Sequence, residues 1–116
     1  MNRIYLLSLI LLLSACSKVG SDYQGGWVTH QGDCKETGGA TITLAKNDMV
    51  QIEFFCFLKK CAEGKSKRDP AGYVYFDLGD GQFITGRIRD DEADGNWVLS
   101  MKGKRCKGHW AVLKGD

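Results

Sequence analysis

Four things are scarce or missing in this sequence, and each absence excludes a class of protein. No apolar stretch approaches the roughly 20 residues that a helix needs to cross a hydrocarbon core. The longest, Ile4 to Leu13, is interrupted by Tyr5 and Ser8. Charge of one sign is not in excess either: sixteen Lys and Arg face fourteen Asp and Glu. That balance argues against nucleic acid as a partner, since a dedicated binder needs a strong basic surplus. Histidine occurs only at His30 and His109. Either imidazole has the chemistry of a general base, yet no serine or cysteine nucleophile motif accompanies them, so an enzyme is not expected. A sustained 3.6-residue period is missing as well, which removes a helical bundle from consideration.

What is present begins with a leader. Met1-Asn2-Arg3 is a short basic start, and the apolar run after it has the length of a secretory signal core. The run ends in Leu13-Ser14-Ala15-Cys16, which resembles the lipobox of bacterial lipoproteins. The resemblance implies cleavage before Cys16, a diacylglyceryl thioether on its sulfur and acylation of the new amine, with palmitate among the chains. Two or more chains hold a protein stably on a bilayer, at about 0.8 kcal/mol per buried methylene. Ser17 stands where lipoproteins retained in the inner membrane resemble one another in carrying Asp, so the resemblance implies the outer membrane, facing the periplasm. The chain divides accordingly into a signal peptide at 1–15, a lipidated start and tether at 16–24, and one domain at 25–116. The tether, extended at roughly 3.3 Å per residue, spans about 26 Å.

Removal of Arg3 with the leader leaves the domain close to neutral. It keeps four cysteines, Cys34, Cys56, Cys61 and Cys106. An even number in an exported chain reads as two disulfides with three possible connectivities. The expected pairing joins Cys34 to Cys56 or Cys61, and Cys106 to the other. A zinc site is set aside, because the four residues between Cys56 and Cys61 have no second close pair to match. No metal or other cofactor is expected.

Apolar residues alternate through most of the domain. Thr41 to Leu44 alternates, Lys46-Asn47-Asp48 turns, and Met49 to Phe57 returns with Val50, Ile52 and Phe54 on one face. Similar stretches run over 73–78, 82–89, 96–101 and 105–113, separated by Gly79-Asp80-Gly81, a polar loop at Asp90 to Asp94, and Lys102-Gly103-Lys104. Residues 27–30 add a first short strand. About seven short strands with frequent turns predict an all-β fold: a small antiparallel barrel or sandwich, stapled by two disulfides. Fifteen glycines, all after Cys16, suit tight hairpins and bent strands.

Several local patterns invite a chemical reading. Gly25-Gly26-Trp27, Gly95-Asn96-Trp97 and Gly108-His109-Trp110 repeat a theme. The first resembles the Gly-x-Trp of lipocalin-type barrels, in which the tryptophan plugs the closed end. Asp90, Glu92, Asp94 and Gly95 imitate the opening of an EF-hand loop, but the twelfth position is Met101, which has no carboxylate for calcium. Lys59, Lys60, Lys65, Lys67 and Arg68 form a basic segment expected as a long surface loop. Lys102, Lys104, Arg105 and Lys107 add to it if the chain brings them together. In Phe54-Phe55-Cys56-Phe57-Leu58 the alternation fails, so either the strand is buried on both faces or Phe55 and Phe57 form a patch for a partner. The partner-binding candidates are therefore Phe55, Phe57, Lys59, Lys60, Lys65, Lys67 and Arg68. The functional expectation is a membrane-anchored, non-enzymatic binding or inhibitory module with an envelope protein as partner. It resembles in general design the small lipoproteins that block lysozymes, toxins or incoming mobile elements. An accessory structural subunit of an envelope assembly or secretion complex is the alternative.

Overall fold

Every second residue of most strands is apolar, and a strand's side chains alternate between faces, so one face of each strand must be buried. The computed structural model describes residues 22–115; the leader and Cys16 lie outside them. Eight strands form: β1 (Tyr23–Gln31), β2 (Thr37–Leu44), β3 (Met49–Cys56), β4 (Lys59–Lys67), β5 (Tyr73–Gly79), β6 (Gln82–Ile88), β7 (Glu92–Met101) and β8 (Lys104–Lys114). All pairings are antiparallel, in the spatial order β4-β3-β2-β1-β8-β7-β6-β5. The sheet curls until β4 and β5 face each other, so the fold is a nearly closed eight-stranded barrel.

Seven of these strands coincide with the stretches that alternate in sequence. β4 is the exception, a strand where a basic loop was expected. Its inward positions are Ala62, Gly64 and Ser66, all too small to produce an apolar period. The structure shows why they are small. A Cβ added at Gly64 would stand 3.0 Å from the Phe76 Cβ and 3.2 Å from the Leu78 Cδ2. The barrel closes here by β5 side chains lying over a low strand, without a hydrogen-bonded ladder. Lys65 and Lys67 point outward along this unpaired edge, where charge discourages edge-to-edge association. Gly64→Val is expected to wedge the seam apart, lowering stability by about 1–3 kcal/mol. Hydrogen exchange should then quicken in β4 and β5 while β1 and β8 keep their protection. The polar loop is also shorter than expected: Glu92 and Asp94 belong to β7, paired with Leu113 and Ala111.

The interior is built around three fully buried tryptophans. Trp27 stacks on Phe54 with ring centroids 5.9 Å apart, and Trp97 meets Trp27 edge-on at 5.6 Å. Each indole ring lies directly over a glycine of another strand: Trp27 over Gly38, Trp97 over Gly108 and Trp110 over Gly86. Each indole N–H then donates to a strand carbonyl, at Phe55 (3.1 Å), His109 (3.2 Å) and Thr85 (3.0 Å). A buried indole needs such an acceptor. Glycine is what lets the ring come close enough to reach one. The interior that a lipocalin keeps for a ligand is occupied here by these rings with Phe54, Phe76, Ile52 and Ile84. An eight-stranded barrel is just wide enough to be filled in this way.

The two ends differ in what they carry. Hairpin turns β1–β2, β3–β4, β5–β6 and β7–β8 gather at one end, the turn end. Asp80-Gly81 and Lys102-Gly103 are two-residue turns with positive φ at both positions, the geometry that matches strand twist. The remaining connections meet at the opposite, terminal end together with both ends of the described chain. There the Gly115 N–H donates to Asp22 O, and Lys114 N–H to Asp91 O. Tyr23 locks this end by donating its hydroxyl to Arg89 O at 3.0 Å, and burial pushes its phenol pKa up. Its contribution to stability is therefore complete below the phenol's ordinary value and declines only as alkaline pH ionises the folded form.

Both disulfides lie at the turn end, and their pairing corrects the expected one. Cys34 joins Cys106, and Cys56 joins Cys61, with Cα separations of 6.2 and 5.7 Å. Cys56 and Cys61 flank one hairpin, so they are neighbours across adjacent strands. Cys34 sits in the loop after β1, and β1 lies against β8, which carries Cys106. The order of strands around the barrel, invisible in cysteine spacing, decides the outcome.

Candidate functional site

The most exposed apolar side chains of the domain sit together on the β3–β4 turn. Phe57 is 84% exposed and Leu58 completely so. Phe57 occupies the left-handed backbone region at φ 61°, which bulky residues rarely enter and which tends to mark functional positions. The conformation is over-determined from below. Cys56 precedes it, Cys61 follows three residues after Leu58, and the bond between them closes the base of the turn. From the side, the Lys35 ammonium lies 3.0 Å from the Phe57 ring centroid. Exposed contacts of this kind contribute about 0.5–1 kcal/mol.

Beside the tip runs a mostly apolar groove of about 340 Å³, walled by Cys34, Lys35, Cys56, Phe57, Met101, Lys102, Lys104 and Asp33. It joins three of the four turns. Lys104 pairs with Asp33 at 3.0 Å, but both are so exposed that the pair adds little. The Arg105 guanidinium donates to Asp80 O at 2.8 Å. Lys35, Lys59, Lys102, Lys104 and Arg105 thus share the turn end with the tip, alongside Asp33, Glu36 and Asp80. At the terminal end the two signs balance: Asp22, Asp48, Asp69, Asp90, Asp91 and Glu92 stand with Lys46, Lys67, Arg68, Arg87, Arg89 and Lys114.

The partner-binding candidates read from sequence are not all brought together. Phe57 and Lys59 are at the tip. Phe55 is half-buried on the outer wall of β3, where its carbonyl accepts the Trp27 indole. Lys60 is held by Glu53 at 2.8 Å and Glu63 at 3.0 Å, and these hydrogen bonds raise its pKa, Glu53 the more. Lys65 and Lys67 follow β4 away from the tip, and Arg68 reaches the far end, 3.4 Å from Asp48. A nine-residue strand separates the extremes by about 30 Å. In exchange, the fold adds Lys35, Leu58, Met101, Lys102 and Lys104 to the tip. Leu58 was legible as part of an apolar run, but nothing in sequence brings Lys35 beside Phe57.

A wider polar depression of about 710 Å³ opens at the terminal end between Lys67, Arg68, Asp69, Arg87, Arg89 and Asp90. Its three arginines are engaged: Arg68 with Asp48, Arg87 with Ala71 O, and Arg89 with Glu92 and Asp94. Arg89 thereby draws in two of the carboxylates of the EF-hand-like segment. His30 and His109 stand on the outer wall of β1 and β8, ring centroids 6.2 Å apart. Among the described residues no group of three or more His, Cys, Asp or Glu is placed to hold a metal, and no helix is long and apolar enough to cross a membrane. No protein-family model, curated protein or solved structure matches this chain. The site therefore rests on its own chemistry.

Proposed function

We propose that this protein is a membrane-anchored envelope lipoprotein that acts as a non-enzymatic binding or inhibitory module, engaging an envelope protein through its turn end. The observation that carries the reading is the pair Phe57 and Leu58, the most exposed apolar side chains among the described residues, at the end remote from Asp22, where the tether enters. A soluble domain gains nothing in stability from a bare Phe-Leu tip, and such patches mark interaction surfaces. A side-chain-filled barrel supports the same reading, because it offers a rigid platform and no chamber for a small substrate. Anchorage is supported by the lipobox at Cys16, with the outer membrane facing the periplasm as the proposed place.

The accessory-subunit reading draws on a second surface. Tyr73 and Tyr75 are both more than half exposed on β5, Tyr75 stacking on Phe83 at 5.7 Å and Arg87 lying 5.0 Å over Tyr73. An assembly subunit touching two neighbours would use both faces.

Mass spectrometry of the native protein should find the first fifteen residues missing, Cys16 carrying lipid and four cysteines oxidised. An intact Met1 with free thiols would overturn the proposal. A Phe57→Ser, Leu58→Ser variant should keep the parental circular dichroism and melting temperature yet weaken its envelope complex by at least tenfold. A matching loss from Tyr73→Ser, Tyr75→Ser instead would favour the subunit role.

A further inference from the structure

We infer that the turn end is a wedge for a protein cleft that is apolar at its floor and rimmed with carboxylates: Phe57 and Leu58 enter the floor, and Lys35, Lys102 and Lys104 meet the rim. The inference rests on the binding-module reading and names the partner's chemistry. Exposure puts the two apolar side chains at the apex. The two-residue turn, its left-handed Phe57 and the bond between Cys56 and Cys61 hold the apex in one shape before any partner arrives. Little ordering is then left to oppose binding. The groove at 340 Å³ between the tip and the β7–β8 turn would accept one ridge of the cleft wall. The lysines set the sign of the opposing surface, since complementary charge fixes partner and register. A two-residue tip covers too little by itself for a stable interface of roughly 800 Å² per side. The cleft must therefore embrace the β1–β2 and β7–β8 turns as well, and those carry the lysines.

An anionic bilayer would also attract an apolar tip ringed by cations. Geometry argues against the anchoring leaflet. From Cys16 to Asp22 an extended chain spans about 20 Å. The eleven-residue β8, tilted at about 40°, makes the barrel roughly 28 Å tall. A tether shorter than the barrel does not let the domain turn over, so the tip faces away from the membrane that holds it.

The test places a photoreactive benzophenone amino acid at position 58 of the full chain in its own cells, with position 113 at the terminal end as control. Support is a protein adduct formed from position 58 and not from 113, whose crosslinked peptide is flanked by Asp or Glu. The adduct should fall at least tenfold on Lys35→Glu, Lys104→Glu. Neutral Lys35→Gln, Lys104→Gln serves as the second variant if the reversal disturbs circular dichroism or disulfide mapping. No protein adduct, equal adducts from both positions, an uncharged contact peptide or indifference to both lysine variants would overturn the inference. So would Leu58-dependent sedimentation of the Cys16→Ser chain with vesicles of phosphatidylethanolamine and phosphatidylglycerol, which would assign the tip to lipid. Membrane fractionation of Cys16→Ala is read separately: retention there defeats the anchor and leaves the adduct to judge the wedge.

Discussion

Gly108→Ala should destabilise the domain by about 3 kcal/mol, although a methyl group ordinarily helps a strand. Glycine in a strand interior is unfavourable by about 0.5–1 kcal/mol relative to alanine. At position 108 the added Cβ would fall onto the Trp97 ring on one side and the Val28 carbonyl on the other, with no flexible side-chain end to yield. Overpacking of a tight core costs about 1–3 kcal/mol, and moving backbone adds to it. For a domain of this size each kcal/mol lowers the melting temperature by about 4–8 °C, so a loss of roughly 15–20 °C is expected. The same change in a Trp97→Leu background should be far milder, and the difference measures the contact itself. Thermal melts of the four proteins decide the matter. A Gly108→Ala protein as stable as its parent would mean that the ring does not lie where the barrel places it.

The second large effect separates the two disulfides. Cys34 and Cys106 are 72 residues apart in sequence, whereas Cys56 and Cys61 are 5 apart. If a crosslink acts mainly by shrinking the unfolded ensemble, the long loop contributes about 4 kcal/mol and the short one about 2 kcal/mol. Cys34→Ser, Cys106→Ser should therefore be the more damaging pair, leaving a domain that is marginal at physiological temperature. Cys56→Ser, Cys61→Ser should melt about half as far below the parent and loosen chiefly the Phe57–Leu58 turn. Urea titration of both double variants gives the order. Equal losses, or a larger loss from the hairpin pair, would contradict the pairing.

How much of this was legible beforehand depended on whether a residue's role was local. Alternation in 49–56 and 73–78 announced β3 and β5, because a two-residue period needs no partner to be read. The Asp80-Gly81 and Lys102-Gly103 turns were equally plain. β4 was hidden because its inward residues, Ala62, Gly64 and Ser66, are too small to give an apolar signal, and Gly64 is fitted to Phe76 and Leu78, which are distant in sequence. The cysteine pairing was hidden for a related reason, since the ladder between β1 and β8 joins strands far apart in sequence. At the candidate site, the failure of alternation at Phe55 and Phe57 fell beside the turn that carries the exposed Phe57 and Leu58. The basic segment pointed along β4, away from the tip, while Lys35 and Lys104 arrive from other hairpins.

The seam between β4 and β5 also bears on the sequence in which parts of the molecule become complete. Strands β1 to β4 are consecutive hairpins, as are β5 to β8, and one ladder, β1 with β8, joins the halves. When the chain becomes free to fold from its N-terminus onward, the first half can zip up by local pairing, which is fast. Its β1 edge stays bare until the eleven residues of β8 appear. By then Cys56 has long had Cys61 for a neighbour, so Cys34 waits with a single thiol left to meet. A topology that defers its one distant joint to the end thereby sorts three possible crosslink patterns down to one.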